Sequence, residues 1–227
     1  MEDTNATATA DAPAQTLNTT PVAAAVLGMF YDTETTGLPL WKEPSEHPDQ
    51  PHLVELYAEL VDLETREVVA TMHKIVKPEG WEIPQECVNI HGITTERALA
   101  EGEPETEVIG ALMAMAAQAE VVIAHNEQFD RRMVRIGIKR NLDPLAPQVE
   151  GSMPSDAWKA KAGFCTCWKA KPFTKLPGNK LPKLTEAYHH FTGQTMEGAH
   201  SASGDVQGCK TVYFAIKDAL APQKLAA

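Results

Sequence analysis

Hydrophobic and polar positions along the chain alternate in two distinct rhythms, and these divide it into elements. A run of apolar residues from Ala25 to Asp32 reads as a first strand, closed by Gly37 and Pro39. After a polar, proline-rich loop over Trp41 to Pro51, two β-type runs, Leu53 to Val61 and Val68 to Val76, flank a polar hexapeptide, the spacing of an antiparallel hairpin. Residues 78 to 93 show no period and read as irregular, with Thr94 or Thr95 placed to cap a short helix. Val108, Ile109, Leu112, Met115 and Ala116 recur at helical spacing, so Glu105 to Ala119 is predicted as an amphipathic helix. Val121 to Ala124 is short and apolar enough for a buried strand. A helix is expected from His125 to about Arg140, a short strand at Phe164 to Thr166, and helices over Leu184 to Phe191 and Ser201 to Leu220. This order predicts a mixed five-stranded α/β sheet flanked by helices.

The flanks behave differently. Residues 1 to 24 are mostly Ala, Thr, Asn, Pro and Asp, and too few large apolar side chains are present to offset the entropy of ordering, so a disordered tail is expected there. Residues 25–221 then form the single folded domain and 222–227 a short tail. No apolar run reaches the ~18 residues of a bilayer span, and the acidic N-terminus lacks the positive region of a signal peptide, so a cytoplasmic protein without membrane contact is expected. Cys87, Cys165, Cys167 and Cys209 lack the paired spacing of a zinc site and are expected as reduced thiols.

Charge is distributed unevenly. The chain carries −11 overall, yet residues 131 to 185 hold 12 of the 20 Lys and Arg against three acids, Asp143, Glu150 and Asp156. That segment is +9 and the remainder −20, an asymmetry that fits either a phosphate-tracking surface or a solubilising loop.

Chemistry enters where the first strand ends. Side chains two apart on a strand share a face, so Asp32 and Glu34 present their carboxylates side by side. Such a pair reads as an ordinary solvated strand end or as the oxygen ligands of a divalent cation, Mg²⁺ or Mn²⁺. Asp130 at the start of a helix, His200, and Asp205 on the last helix supply further candidates, each ambiguous alone.

Taken together, Asp-Thr-Glu-Thr-Thr-Gly-Leu (32–38), Ala-His-Asn-Glu-Gln-Phe-Asp (124–130) and Ala-His-Ser-Ala-Ser-Gly-Asp (199–205) resemble, in order and interval, the three motifs of the DnaQ-like DEDDh exonucleases. This group includes the proofreading subunit of bacterial replicative polymerase. His91-Gly92-Ile93-Thr94 resembles a further segment of that group, and the resemblance spans about residues 26 to 217. It implies a ribonuclease-H-like fold and 3′-to-5′ exonuclease activity, with two Mg²⁺ or Mn²⁺ ions and single-stranded or frayed DNA 3′ ends as substrate. By the same resemblance Asp32 bridges both ions, Glu34 and Asp205 bind the first, Asp130 holds the second, and His200 is either the general base or a passive partner of the scissile phosphate. Thr35, Thr36, Leu38, His91, Asn126 and Phe129 are implied to meet the terminal nucleotide. Phe129 reads equally well as core, and Asn126 as a residue that orients the second motif.

The chain stops soon after its last helix and carries no evident polymerase-binding or clamp-binding segment, so a stand-alone enzyme of DNA replication or repair, of bacterial or phage type, is expected. An RNA-directed exonuclease of the same fold and a non-catalytic nucleic-acid-binding module are the alternatives. The helix following Ala124 and the lysine-rich loop are both expected to grip the strand upstream of the scissile bond.

Overall fold

The computed structural model describes residues 25–147, 149, 151 and 153–221, so the two expected tails and Glu150 lie outside the described residues. Five strands form one sheet: β1 (Leu27–Thr35), β2 (Leu53–Asp62), β3 (Val68–Ile75), β4 (Val121–Ala124) and β5 (Ala162–Cys165), in the order β3-β2-β1-β4-β5. The hairpin expected from the β2 and β3 spacing is present: β1, β2 and β3 pair antiparallel, whereas β4 and β5 add in parallel to β1.

The alternation of β1 decides the two layers. Met29 and Tyr31 face a cluster built from α3 (Glu105–Gln118) and α4 (Glu127–Asn141), including Ile109, Leu112, Met133 and Val134. Phe30 points the other way, against Val206, Cys209 and Tyr213 of α8 (Ala202–Leu220). Its ring meets Tyr213 edge-on at 5.2 Å between centroids, the arrangement favoured by the aromatic quadrupole. The apolar face predicted for α3 is buried residue for residue.

Three helices were not legible in the periodicity. The segment expected to be irregular contains α1 (Gln85–His91), which follows Pro84 and ends on Gly92 in the left-handed conformation. Only Cys87 of its seven residues is buried, too few positions to leave a helical period. α2 (Thr95–Glu101) starts where expected, Thr94 accepting from the Arg97 N–H. The proline-rich and lysine-bearing stretches hold α5 (Pro154–Ala160) and α6 (Thr166–Thr174). Both carry a proline, tolerated in α5 because it sits in the first turn. α7 (Leu184–Thr192) and α8 match expectation within a residue or two, and Ser201 caps α8 by accepting from the Gly204 N–H. All four cysteines are free thiols. Among the described residues, no helix is long and apolar enough to cross a membrane.

Candidate active site

β1 outruns its neighbour. Its pairing with β4 ends at Phe30 opposite Ile123, so residues 31 to 35 project past β4 while remaining paired with β2. On the β2 side the register shifts between Glu34 and Thr35, an irregularity that re-aims the strand end. Asp32 and Glu34 therefore stand on the face covered by α8, and Asp205 in the first turn of that helix reaches them. Ligand oxygens from Asp32, Glu34 and Asp205 lie within 4.8 Å of one another.

Asp130 arrives from the opposite layer. The notch left where β4 stops is filled by the first turn of α4, and the Thr33 N–H donates to Asp130 Oδ1 at 3.0 Å. The Thr33 hydroxyl donates to the same oxygen at 2.9 Å. Asp130 is 2% exposed, so these bonds and its position near the positive end of α4 are what make a carboxylate tolerable there.

Burial raises the pKa of all four acids, and the charges of neighbouring acids add to it at Asp32 and Glu34. Burial first, then the Asp130, Asp205, Glu34 and Glu55 charges, push Asp32 well above the usual carboxylate range. Glu34 rises to about 8, through burial and then the Asp205, Glu55 and Asp130 charges. Burial also lifts Asp130 to about 8 against the pull of the Thr33 bonds, and lifts Asp205 against the backbone N–H and charge of His200. A cluster of oxygen donors whose repulsion is relieved by positive charge fits a hard divalent cation, with Asp32, Glu34 and Asp205 as one ligand group and Asp130 beside it.

His200 is exposed, with φ of 68°, on the loop entering α8, and its N–H donates to Asp205 Oδ2 at 3.3 Å. Gly204 permits that loop to close: a Cβ there would sit 2.0 Å from the Gly198 carbonyl oxygen. The turn after Glu34 is equally constrained, since Gly37 has φ of 154° and its N–H and carbonyl both meet the Thr35 hydroxyl.

A cleft of about 330 Å³ opens beside Glu34, and Thr35, Leu38, His91 and Phe129 are among the residues that line it. Leu38 is 77% exposed, and Phe129 also packs against the main core. Thr36 and Asn126 are not among the lining residues. Thr36 ties the turn to the start of β2, its hydroxyl accepting from the His52 N–H at 2.9 Å. Asn126 is exposed in the left-handed conformation at the N-cap of α4.

Sequence reasoning missed several residues. Thr33 lies inside the first motif, and a hydroxyl residue alternating with two acids was the available signal. Glu86, Cys87 and Ile90 line the cleft from α1, a helix the periodicity did not reveal. Glu55 stands directly opposite Glu34 in the β1–β2 register and is 6% exposed. Its carboxylate meets His73 Nε2 at 2.7 Å and accepts from the Ala202 N–H at 3.3 Å. His125, inside the second motif, is structural: burial lowers it to about 4, with Nε2 donating to the Pro182 carbonyl and Nδ1 2.9 Å from the Thr166 hydroxyl.

The cations of α4, expected to grip the strand, also make bonds within the protein. Arg131 pairs with Glu127 and donates to the Trp158 and Lys161 carbonyls. Arg132 reaches the Glu43 carbonyl, Arg135 the Ser45 hydroxyl, and Arg140 the Gln50 and Pro51 carbonyls and Glu105. Lys139 pairs with Asp143 at 3.1 Å. This helix staples the 40–52 loop and α5 to the sheet, and Arg132 and Arg135 do so through neutral groups, with no carboxylate ion pair among the described residues.

The RNase_T exonuclease family profile matches residues 29–213. No curated protein sequence matches the chain. Among solved structures, E. coli exonuclease I in its zinc-ion-bound complex with single-stranded DNA superposes with a TM-score of 0.65 at 20% identity, over 87% of this chain and 41% of that one. The same E. coli protein in complex with a dT13 oligonucleotide gives 0.62 at 20% identity, over 86% and 41%. At that identity the likeness shows the shared fold, and the chain spans about two-fifths of the length of those proteins.

Proposed function

Because the chain belongs to the RNase_T exonuclease family, we propose that it removes nucleoside monophosphates from the 3′ end of DNA, acting on single-stranded or frayed ends by divalent-metal-dependent hydrolysis. The observation that carries this reading is the convergence of Asp32, Glu34 and Asp205 within 4.8 Å, with Asp130 beside them and a nucleotide-sized cleft adjoining.

Each residue has a role in this reading. Asp32, Glu34 and Asp205 would hold one Mg²⁺ or Mn²⁺, and Asp130 with Asp32 would help hold a second. Bound there, the cations supply charge neutralisation at the scissile phosphate and lower the pKa of water. His200 accepts the proton of the water that attacks phosphorus, the P–O3′ bond breaks, and the shortened strand leaves with a free 3′ hydroxyl. The exposed position of His200 on the loop before Asp205 lets it approach a phosphate held beside the carboxylate cluster.

The cleft suits the terminal nucleotide. Leu38 and Phe129 offer apolar surface to a base, while His91 and the Thr35 turn border the side toward Glu34. Burial lowers the His91 pKa, and its Nδ1 accepts from the Ile93 N–H, so the ring presents its proton on Nε2.

Digestion of matched 5′-labelled DNA and RNA oligonucleotides with Mg²⁺ or Mn²⁺ tests the reading. A descending ladder on DNA is expected. A ladder on RNA alone assigns the enzyme to RNA, and no cleavage of either with retained binding makes the protein a binding module. For His200→Ala, loss of the acidic limb of the pH–rate profile is expected. An unchanged limb removes the base role.

A further inference from the structure

Most cations of α4 are engaged within the protein, and a second concentration of positive charge lies on the lysine-rich stretch. Residues 157 to 185 contain seven lysines and no acid, in a chain of net charge −11. The centre of this stretch is α6, an element that periodicity did not reveal. Its inner face, Cys167, Ala170 and Phe173, packs toward α7 and α8. Its outer face carries Trp168, Lys171 and Pro172, spaced three and four apart and hence in one stripe, and Lys175 follows as the left-handed C-cap.

Trp168 is 55% exposed, unusual for so large an apolar ring. The Lys171 ammonium lies 5.4 Å from its centroid, holding charge and ring together. Lys169 stands over Phe164 at 5.8 Å. An open groove of about 460 Å³ continues from Lys171 past Pro172 to Lys175, Leu176 and Asn179. Among the described residues, no carboxylate forms an ion pair with Lys169, Lys171 or Lys175.

The sheet places this stripe next to the carboxylates. β1, β4 and β5 are parallel, so Glu34, Ala124 and Cys165 end on one edge of the sheet, and α6 starts immediately after Cys165. Two strand spacings, about 10 Å, separate β1 from β5 laterally, and Glu34 lies three residues, about a further 10 Å, past the level of Cys165. His125, bridging Thr166 and the Pro182 carbonyl, fixes the start of α6 to the end of β4.

We propose that the outer face of α6 is a second binding site, on which Trp168 stacks a base of the single strand a few nucleotides upstream of its 3′ end while Lys169, Lys171 and Lys175 meet the phosphates. Charge complementarity selects a polyanion, and an exposed ring flanked by unpaired ammonium groups selects one with π faces, a nucleic acid strand over an acidic peptide. The inference rests on the exonuclease reading only for the direction in which the strand runs.

Binding of a fluorescent oligothymidylate of about twelve nucleotides, with Ca²⁺ replacing Mg²⁺, tests it. Trp168→Ala is expected to weaken binding roughly 5- to 150-fold, the equivalent of ~1–3 kcal/mol for one stacked base, and Trp168→Phe to keep most of the affinity. Lys171→Gln with Lys175→Gln should flatten the salt dependence, whereas Lys217→Gln, at the far end of α8, should leave it as in the wild type. The penalty of Trp168→Ala should shrink for a thymidine dinucleotide, too short to span both sites. These side chains are exposed, and an unchanged thermal midpoint shows that the variants fold. If the wild type binds the strand but cleaves nothing, the catalytic reading fails and this site stands. If it cleaves while Trp168→Ala and the lysine pair bind like wild type, the site is overturned. Displacement of the strand by an oligoglutamate peptide of equal charge likewise overturns the stacking role.

Discussion

Thr33 meets Asp130 twice, its backbone N–H and its hydroxyl donating to one carboxylate oxygen at 3.0 and 2.9 Å across 97 residues of sequence. The backbone bond takes the place of a ladder bond that β4 is too short to supply, so the end of β1 and the start of α4 are held by the acid itself. Thr33→Val keeps the shape and the backbone bond but removes the hydroxyl. A loss of ~1–3 kcal/mol by denaturant melting is expected, with a fall in nuclease activity, and Thr33→Ser should recover most of both. Equal melting of the valine variant and wild type would show that the hydroxyl contributes nothing.

The carboxylate cluster predicts an unusual stability profile. Glu34 has a folded pKa of about 8 against an ordinary 4.5, and Asp130 about 8 against 3.8. A raised carboxylate pKa means that the folded protein binds more protons than the unfolded chain between those values, so stability falls as pH rises through the window. Without divalent ions the thermal midpoint should therefore drop between about pH 4.5 and 8. Mn²⁺ added at pH 8 should restore it, and Asp205→Asn should raise the metal-free midpoint while blunting the response to Mn²⁺. A metal-free midpoint that is level across the window would contradict the cluster's electrostatics.

Glu55 and Glu59 dock α8 onto β2. Glu55 accepts from the Ala202 N–H, and two turns on Glu59 meets Gln207 and Lys210. Truncating Glu55 frees the helix end that carries Asp205, and a displacement of order 1 Å costs up to ~10²-fold in rate. Glu55→Ala should lower kcat more than it raises KM. Glu55→Gln, which can still accept from Ala202, should remain close to wild type; an equal loss in both variants would point to the charge rather than the bond.

Arg131 illustrates charge used for architecture. Arg131→Met strands the buried Glu127 carboxylate and two carbonyls, at a cost of ~3–5 kcal/mol, without changing the salt dependence of DNA binding. Stability follows from thermal or denaturant melting, and the salt dependence from the oligothymidylate titration. A flattened salt dependence in this variant would return α4 to the strand-binding surface.

Much of this molecule is written locally. Strand alternation alone puts Asp32 and Glu34 on one face, because that period is set within two residues, and the 3.6-residue period of α3 is set within a few turns. The order of the motifs was likewise legible, as was the turn from Thr35 to Leu38. α1, α5 and α6 were not, since short helices bury too few positions to leave a period and rely on the sheet for their stability.

What only the tertiary structure decided is which partner each polar group finds. Nothing near Asp130 in sequence says that it fills the notch beyond β4, because that depends on where β4 ends against β1. The arginines of α4 and the lysines of α6 are alike as a run of positive charge. They part ways because the 40–52 loop brings carbonyls to the first set, while the second is left facing solvent beside Trp168. Hydrogen bonds and ion pairs across a fold are fixed by register and packing, and a local sequence pattern carries no record of either.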